Sequence, residues 1–155
     1  MTDDIKKRLD VVLVAGGKYH DIDFARLELL KLLAEDDRIR TRVYEDYSNL
    51  HAISNADFLI TYTCDVRPTL EQQKVLRDFV ANGKRWLALH GTNSILQFLS
   101  DGRVDCPRVA PIFMETLGSQ FLSHPPIEPY TVTVADDDHH LVEGVEPFET
   151  NDELY

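Results

Sequence analysis

The chain has few cysteines, no long apolar run and a deficit of basic residues. Cys64 and Cys106 form neither a C-x-x-C pair nor a disulfide framework. No stretch approaches the ~20 apolar residues of a membrane-spanning helix, and residues 1–8 lack the apolar run of a signal peptide. The 16 Lys and Arg against 27 Asp and Glu give a formal charge of −11, which repels phosphate backbones and acidic lipid surfaces. We therefore expect a cytoplasmic protein that binds neither nucleic acid nor membrane.

The chain does contain apolar runs that alternate with amphipathic segments, a pattern typical of α/β domains. The runs 11–15, 57–62 and 84–89 predict buried parallel strands, and the more polar run 40–45 predicts a strand nearer the sheet edge. Apolar residues at helical spacing predict one helix from Asp23 onward and another between Thr69 and Gly83. If the four strands lie in the order 2-1-3-4, the loops after the first and third strands flank one crevice.

The pattern weakens towards the C-terminus. Residues 94–99 are predicted to open a helix, 112–117 to form a helical turn and 130–134 to form a half-buried strand. The chain contains no internal repeat and no linker. It is therefore expected to form a single domain over residues 1–155.

His90 follows the predicted strand 84–89 directly and precedes Gly91, a layout that is similar to a nucleophile elbow. An imidazole in that position acts as a general base, a proton donor or a metal ligand. The alternative is a histidine that only bonds backbone at a strand end, and the pattern alone does not separate these possibilities. Neither cysteine lies at a comparable turn, which disfavours a Cys–His hydrolase.

Two familiar kinds of local binding motif are missing. Gly16-Gly17-Lys18 follows a strand but matches neither the P-loop nor G-x-G-x-x-G, so it indicates a tight turn, and no nucleotide or flavin is expected. The six histidines show no H-x-x-x-H or H-E-x-x-H spacing. A metal site would therefore need ligands from distant loops.

Ordered motifs over nearly the whole chain resemble the ThuA-like (trehalose-utilisation) family, within the class I glutamine amidotransferase-like superfamily. These motifs are the strand and glycine loop of 12–20, the helix of 70–83, the L-A-L-H-G elbow of 87–91, G-x-x-F-x-x-H-P at 118–125, the strand and acidic turn of 130–144, and D-E-L-Y at 152–155.

The resemblance implies a flavodoxin-like fold, a doubly wound and mostly parallel sheet with helices on both faces. It also puts His90 at the position of the amidotransferase cysteine, so a Cys-dependent glutamine amidotransferase is not expected, since the nucleophile is missing. Relatives normally continue beyond Tyr155. The resemblance therefore leaves open a truncated C-terminal part, and with it a sheet edge that another copy covers in a homo-oligomer.

By position, the resemblance also implies a set of site residues. His90 and Glu153 are the expected catalytic pair, and His20, Tyr62, His124 and Tyr155 are the expected substrate contacts. A divalent metal such as zinc is expected on His20, His90 and His124.

The function that the resemblance implies is utilisation of trehalose or a related glycoside. As an enzyme, the protein would be a hydrolase or lyase acting on a small-molecule carbohydrate or an oxidised sugar. The alternative is a non-catalytic sugar-binding or regulatory domain that retains the fold.

Overall fold

The computed structural model describes residues 7–154. The described chain forms two compact units, which divide between Leu122 and Ser123. The first unit contains a four-stranded parallel sheet in the order β2-β1-β3-β4, which confirms the predicted order. Its strands are β1 (Leu9–Gly17), β2 (Ile39–Tyr44), β3 (Phe58–Cys64) and β4 (Arg85–Leu89).

Helices connect the strands, and the first three of them begin at side-chain caps that the sequence provides. The helices are α1 (Ile22–Leu33), α2 (Leu50–Asn55), α3 (Leu70–Ala81) and α4 (Pro111–Leu117). The Asp21 carboxylate accepts a hydrogen bond from the first turn of α1, and Thr69 and Gln72 form the predicted capping box of α3. A short antiparallel pair, β5 (Gln97–Phe98) and β6 (Val104–Asp105), follows β4.

The core lies on both faces of the sheet because side chains alternate along each strand. Val12 and Val14 of β1 belong to an apolar cluster that includes Phe113 of α4, as well as residues of α2 and α3. Val11 and Leu13 belong to a second cluster, which α1 covers. This arrangement confirms the predicted flavodoxin-like layout with helices on both faces.

Two predictions for the first unit are wrong. The strand predicted as buried over 84–89 is the edge strand β4, and Leu87 is 51% exposed because β3 alone pairs with it in the described chain. Residues 94–99 form a loop and β5 instead of a helix. Their backbone groups are bonded elsewhere, since the Ser94 carbonyl accepts from the Asp65 amide and the Leu96 amide donates to the Asp65 carboxylate.

The second unit is built on an antiparallel pair, β7 (Glu128–Val132) and β8 (Phe148–Asp152). β7 overlaps the strand predicted over 130–134, whereas β8 was not predicted. Among residues 7–154, no helix is both long and apolar enough to cross a bilayer.

Candidate functional site

The carboxyl edge of the parallel sheet carries three residues with left-handed backbone. Tyr19 (φ 70°), Asp65 (φ 58°) and His90 (φ 45°) follow β1, β3 and β4 and are the non-glycine residues with positive φ in the described chain. Left-handed backbone is strained for residues with a Cβ, least so for Asp. Such strain concentrates at functional sites, so this edge is the place to look for chemistry.

Three rings predicted as site residues meet at this edge. The His20 and His90 imidazoles lie in edge-to-face contact, with centroids 4.3 Å apart and planes at 68°. The Tyr62 ring lies 5.7 Å from His90 at 16°, which is a stacked arrangement, and 6.2 Å from His20. His90 is exposed, whereas His20 and Tyr62 are half-buried. The loop after β1, the end of β3 and the turn after β4 therefore each contribute one ring.

The turn that presents His90 is fixed by its next two residues. β4 ends at Leu89, and His90 begins a single 3₁₀ turn that runs to Asn93. The Thr92 hydroxyl donates to the Leu89 carbonyl at 2.8 Å and lies 3.1 Å from the buried hydroxyl of Thr61. The His90 backbone is thus held in place by bonds to two neighbouring strands.

Gly91 lets this turn approach the other two strand ends. A Cβ at Gly91 would lie 3.1 Å from the Cys64 Cβ and the Thr63 carbonyl oxygen, and 3.3 Å from His20 Nε2. These separations are tighter than ordinary van der Waals contact. A side chain at Gly91 would therefore push His20 and the His90 turn apart.

Asp65 connects the loops on either side of the rings. Its carboxylate accepts from Lys18 Nζ at 2.9 Å and from the Leu96 amide at 3.1 Å, while its own amide donates to the Ser94 carbonyl at 3.0 Å. The bond to Asp65 raises the pKa of Lys18 above its ordinary value, so the lysine stays charged. One carboxylate thus positions the loop after β1 and the segment after the His90 turn. Asp65 lies in the loop after the third predicted strand, beside the predicted crevice, and no motif in the sequence indicates its role.

A groove of about 340 Å³ borders His20 on the side of β2. Arg26, Asp23 and Glu45 contribute charged groups to its walls. Arg26 Nη1 donates to the Asp23 carboxylate at 2.7 Å, and Arg26 Nη2 donates to the Ala15 carbonyl at 2.9 Å. The groove therefore offers both donors and acceptors, which suits a ligand rich in hydroxyl groups.

The second unit holds two other predicted site residues together. His124 Nε2 lies 3.3 Å from Glu153 Oε1, and His124 Nδ1 lies 2.8 Å from the Pro125 carbonyl oxygen. The Glu153 side chain is 23% exposed, and the Tyr130 hydroxyl donates to the Glu153 carbonyl. Each ring nitrogen of His124 therefore lies within bonding distance of an oxygen atom.

The combined roles of these residues stay predictions. The catalytic pairing of His90 with Glu153 joins residues of different units, and so does the metal set of His20, His90 and His124. Substrate contacts by Tyr62 and His124 are likewise predictions. Tyr155 lies outside the described residues.

The His90 turn brings together two of the three imidazoles predicted to bind a metal. His20 and His90 offer two imidazoles, whereas protein zinc sites use three or four side-chain ligands. Within residues 7–154, no group of three or more His, Cys, Asp or Glu side chains is arranged to hold a metal ion. A metal at this turn would therefore need ligands in addition to the His20 and His90 imidazoles.

Comparisons with known proteins agree on one family. The family model ThuA, described as trehalose utilisation, matches residues 10–155. The fold is similar to that of a ThuA-like protein from Bacteroides uniformis, with a TM-score of 0.70 and 16% identity over 94% of this chain and 59% of the other. It is also similar to a ThuA-like protein from Parabacteroides merdae, with a TM-score of 0.62 and 16% identity over 96% and 63%. The chain thus spans less than two thirds of either protein, and no curated protein matches it.

Proposed function

Because the chain belongs to the ThuA family of trehalose utilisation, we propose that it acts on a sugar or an oxidised sugar derivative by acid–base catalysis at His90. One observation carries this proposal. An exposed imidazole lies on a strained turn at the carboxyl edge of a parallel sheet, with a second imidazole 4.3 Å away. Ligands of open α/β sheets bind at this edge.

The chemistry follows from the residue type at the turn. An elbow with Ser or Cys would attack its substrate and form a covalent intermediate, whereas imidazole accepts and donates protons near neutral pH. Two imidazoles in contact offer a proton acceptor and a proton donor side by side. His90 is therefore assigned as the general base, and His20 as the acid partner or the group that orients it.

Two reaction types fit this pair and stay within the predicted hydrolase or lyase class. In an elimination, His90 removes a proton from a carbon beside a carbonyl, the electron pair forms a C=C bond, and the neighbouring C–O bond breaks as the acid protonates the departing oxygen. In a hydrolysis, His90 removes a proton from a water whose oxygen bonds to the anomeric carbon, and the C–O bond to the departing sugar breaks as the acid protonates its oxygen. Neither reaction requires a covalent bond to the protein.

The charge of the molecule favours an uncharged substrate. The formal charge of −11 repels anions such as sugar phosphates. The groove beside His20 instead presents Arg26 together with Asp23 and Glu45, which can bond to hydroxyl groups in both directions. We place this activity in the cytoplasm, in keeping with two cysteines that are both buried thiols.

The test is turnover of a panel that contains trehalose, other neutral glycosides and their keto derivatives. We expect His90→Ala to lower kcat by at least about 100-fold, the usual contribution of a general base. His51→Ala is the matched control, because His51 is an exposed histidine on α2 that does not line the groove, and it should retain full turnover. If His90→Ala turns over every active substrate as fast as wild type does, the proposal is refuted.

A non-catalytic sugar-binding domain is the second candidate. The stacking of Tyr62 on His90 favours it, because a ring already packed against its neighbour provides a contact surface without transferring protons. Titration calorimetry with the same panel separates the two candidates. Binding without turnover, weakened by His90→Ala, would support the binding domain.

A further inference from the structure

Two aromatic rings beside the site are exposed yet packed against each other. Tyr19 is 57% exposed and Phe98 is 58% exposed, and their ring centroids lie 5.8 Å apart with planes at 47°. Neither belongs to the two apolar clusters of the sheet. Most of their apolar surface therefore faces solvent, which is unfavourable without a further partner.

The pair lies next to the residues of the proposed centre. Tyr19 immediately precedes His20, and Phe98 lies in β5, on the segment that follows the His90 turn. Asp65 anchors the two chain segments that carry these rings. It bonds to Lys18, the neighbour of Tyr19, and to Leu96, two residues before Phe98. Asp65 therefore ties together the two segments that carry the rings, one of which also carries His20 while the other follows the His90 turn.

The backbone of Tyr19 adds a second observation. A bulky aromatic residue at φ 70° is a conformational outlier, and glycine would occupy that position without strain. Burial of the side chain does not offset this strain, because more than half of Tyr19 is exposed. The strained conformation places the ring outside the core and against Phe98.

From these observations we propose that Tyr19 and Phe98 form a stacking platform for one face of an uncharged pyranose ring, which is the substrate-recognition part of the site. This inference rests on the proposed function, because it names how the sugar is held beside His90. A pyranose with mostly equatorial hydroxyls has an apolar face of C–H groups, which packs on aromatic rings, and a polar rim. The groove that borders His20, the residue after Tyr19, has charged groups that can bond to the rim hydroxyls.

A protein partner fits this surface less well. Specific protein interfaces bury about 800 Å² on each partner, far more than Tyr19, Phe98 and the half-exposed Val104 opposite Phe98 provide. Lys18, which forms an ion pair with Asp65, is also the sequence neighbour of Tyr19. A small amphipathic ligand matches both the size of the platform and its polar surroundings.

The test measures binding by NMR, using trehalose and methyl α-glucoside as probes with the intact chain. Wild type should shift the axial ring protons of the sugar upfield, because protons stacked over an aromatic ring experience its ring current. Tyr19→Ala and Phe98→Ala should each weaken binding about tenfold, the size of one aromatic contact, and should abolish the upfield shift. Tyr19→Trp should retain both. Leu32→Ala is the control, since Leu32 is 57% exposed near the end of α1 that lies away from the site.

The outcomes separate the platform from the proposed chemistry. If both alanine variants bind within twofold of wild type, or if wild type binds neither probe, the platform is wrong. His90→Ala should lose turnover but retain the upfield shifts. If His90→Ala keeps full turnover while the upfield shifts of the sugar protons still depend on Tyr19, the catalytic role of His90 is refuted and the platform is supported.

Discussion

The two edges of the parallel sheet are built differently. At the amino edge, the Asp57 carboxylate accepts from the Asp10 amide at 2.8 Å, the Asp57 amide donates to the Asp10 carbonyl, and Arg40 bonds to the Asp10 carboxylate at 2.7 Å. At the carboxyl edge, Tyr19 and His90 have left-handed backbone and exposed rings.

The difference indicates that one edge of the sheet contributes mainly to stability and the other mainly to activity. Hydrogen-bonded carboxylates at the amino edge join the starts of β1, β2 and β3 and stabilise the fold. Strained turns at the carboxyl edge lower stability and present side chains to solvent. Substitutions at the carboxyl edge should therefore change activity more than stability, and substitutions at the amino edge should do the reverse.

The largest expected effect comes from His90→Gly. Removal of the imidazole should lower turnover by at least about 100-fold. Stability should be unchanged or slightly higher, because relief of left-handed strain, about 1–2 kcal/mol, opposes the entropy cost of glycine, about 0.5–1 kcal/mol. Turnover assays and urea denaturation measure the two effects.

His90→Ala is the control for strain, since alanine keeps the Cβ and should be less stable than glycine at this position. A His90→Gly protein that is clearly less stable than His90→Ala would contradict the strain argument. It would mean that the His90 imidazole stabilises the folded protein. The claim that residues at the carboxyl edge serve activity at the expense of stability would then be wrong for His90.

A smaller effect is expected from Asp65→Asn. Asparagine tolerates left-handed backbone and can still accept from the Leu96 amide, but it loses the ion pair with Lys18. The loop that carries Tyr19 and His20 then loses one anchor, so we expect about a tenfold loss in kcat/KM, of the size that misplaced reacting groups cause. The melting temperature should change little, because exposed ion pairs contribute little to stability.

Lys18→Met removes the same ion pair from the other side and should reproduce the loss. A structural role alone would lower the melting temperature and leave kcat/KM unchanged. If the two variants differ strongly in kcat/KM, the ion pair is not the positioning element.

The fold was largely predictable, because β1 and β3 are apolar on both faces and few other structures produce such runs. β4 shows the limit of this argument. The apolar residues around Leu87 predict a buried strand, yet Leu87 is half exposed because β4 is an edge strand. The sequence does not show which strands have only one neighbour in the sheet. The helix predicted over 94–99 failed for a related reason, since a carboxylate 31 residues away in sequence binds the Leu96 amide.

Topology made the meeting of three rings predictable, whereas their roles stay predictions. His20, Tyr62 and His90 meet because parallel neighbouring strands end at the same edge. The pairing of His124 with Glu153 follows from a hairpin whose second strand, β8, has too weak a pattern to be recognised. The role of Asp65 could not be predicted, because it depends on side-chain geometry between three loops.

The smallest expected effect tests the amino edge with Asp57→Asn. The Asp10 amide, which donates to the Asp57 carboxylate, holds the pKa of that carboxyl below its usual range, with Lys7 as a lesser cause. Asparagine still accepts this bond but without charge, so at pH 7 the free energy of unfolding should fall by about 1 kcal/mol. Turnover should stay within twofold of wild type, since the substitution lies at the opposite end of the strands from His90.

The pH dependence gives this prediction its sign. A carboxyl whose pKa is lower in the folded than in the unfolded protein stabilises the fold above its unfolded pKa, and this contribution disappears as pH falls through the folded value. The stability difference between wild type and Asp57→Asn should therefore be full at pH 7 and should shrink below about pH 4. Urea denaturation at pH 7, 5 and 3 measures it. A difference that stays constant over this range would mean that the Asp57 charge does not stabilise the amino edge, and the contrast between the two edges would then depend on backbone strain alone.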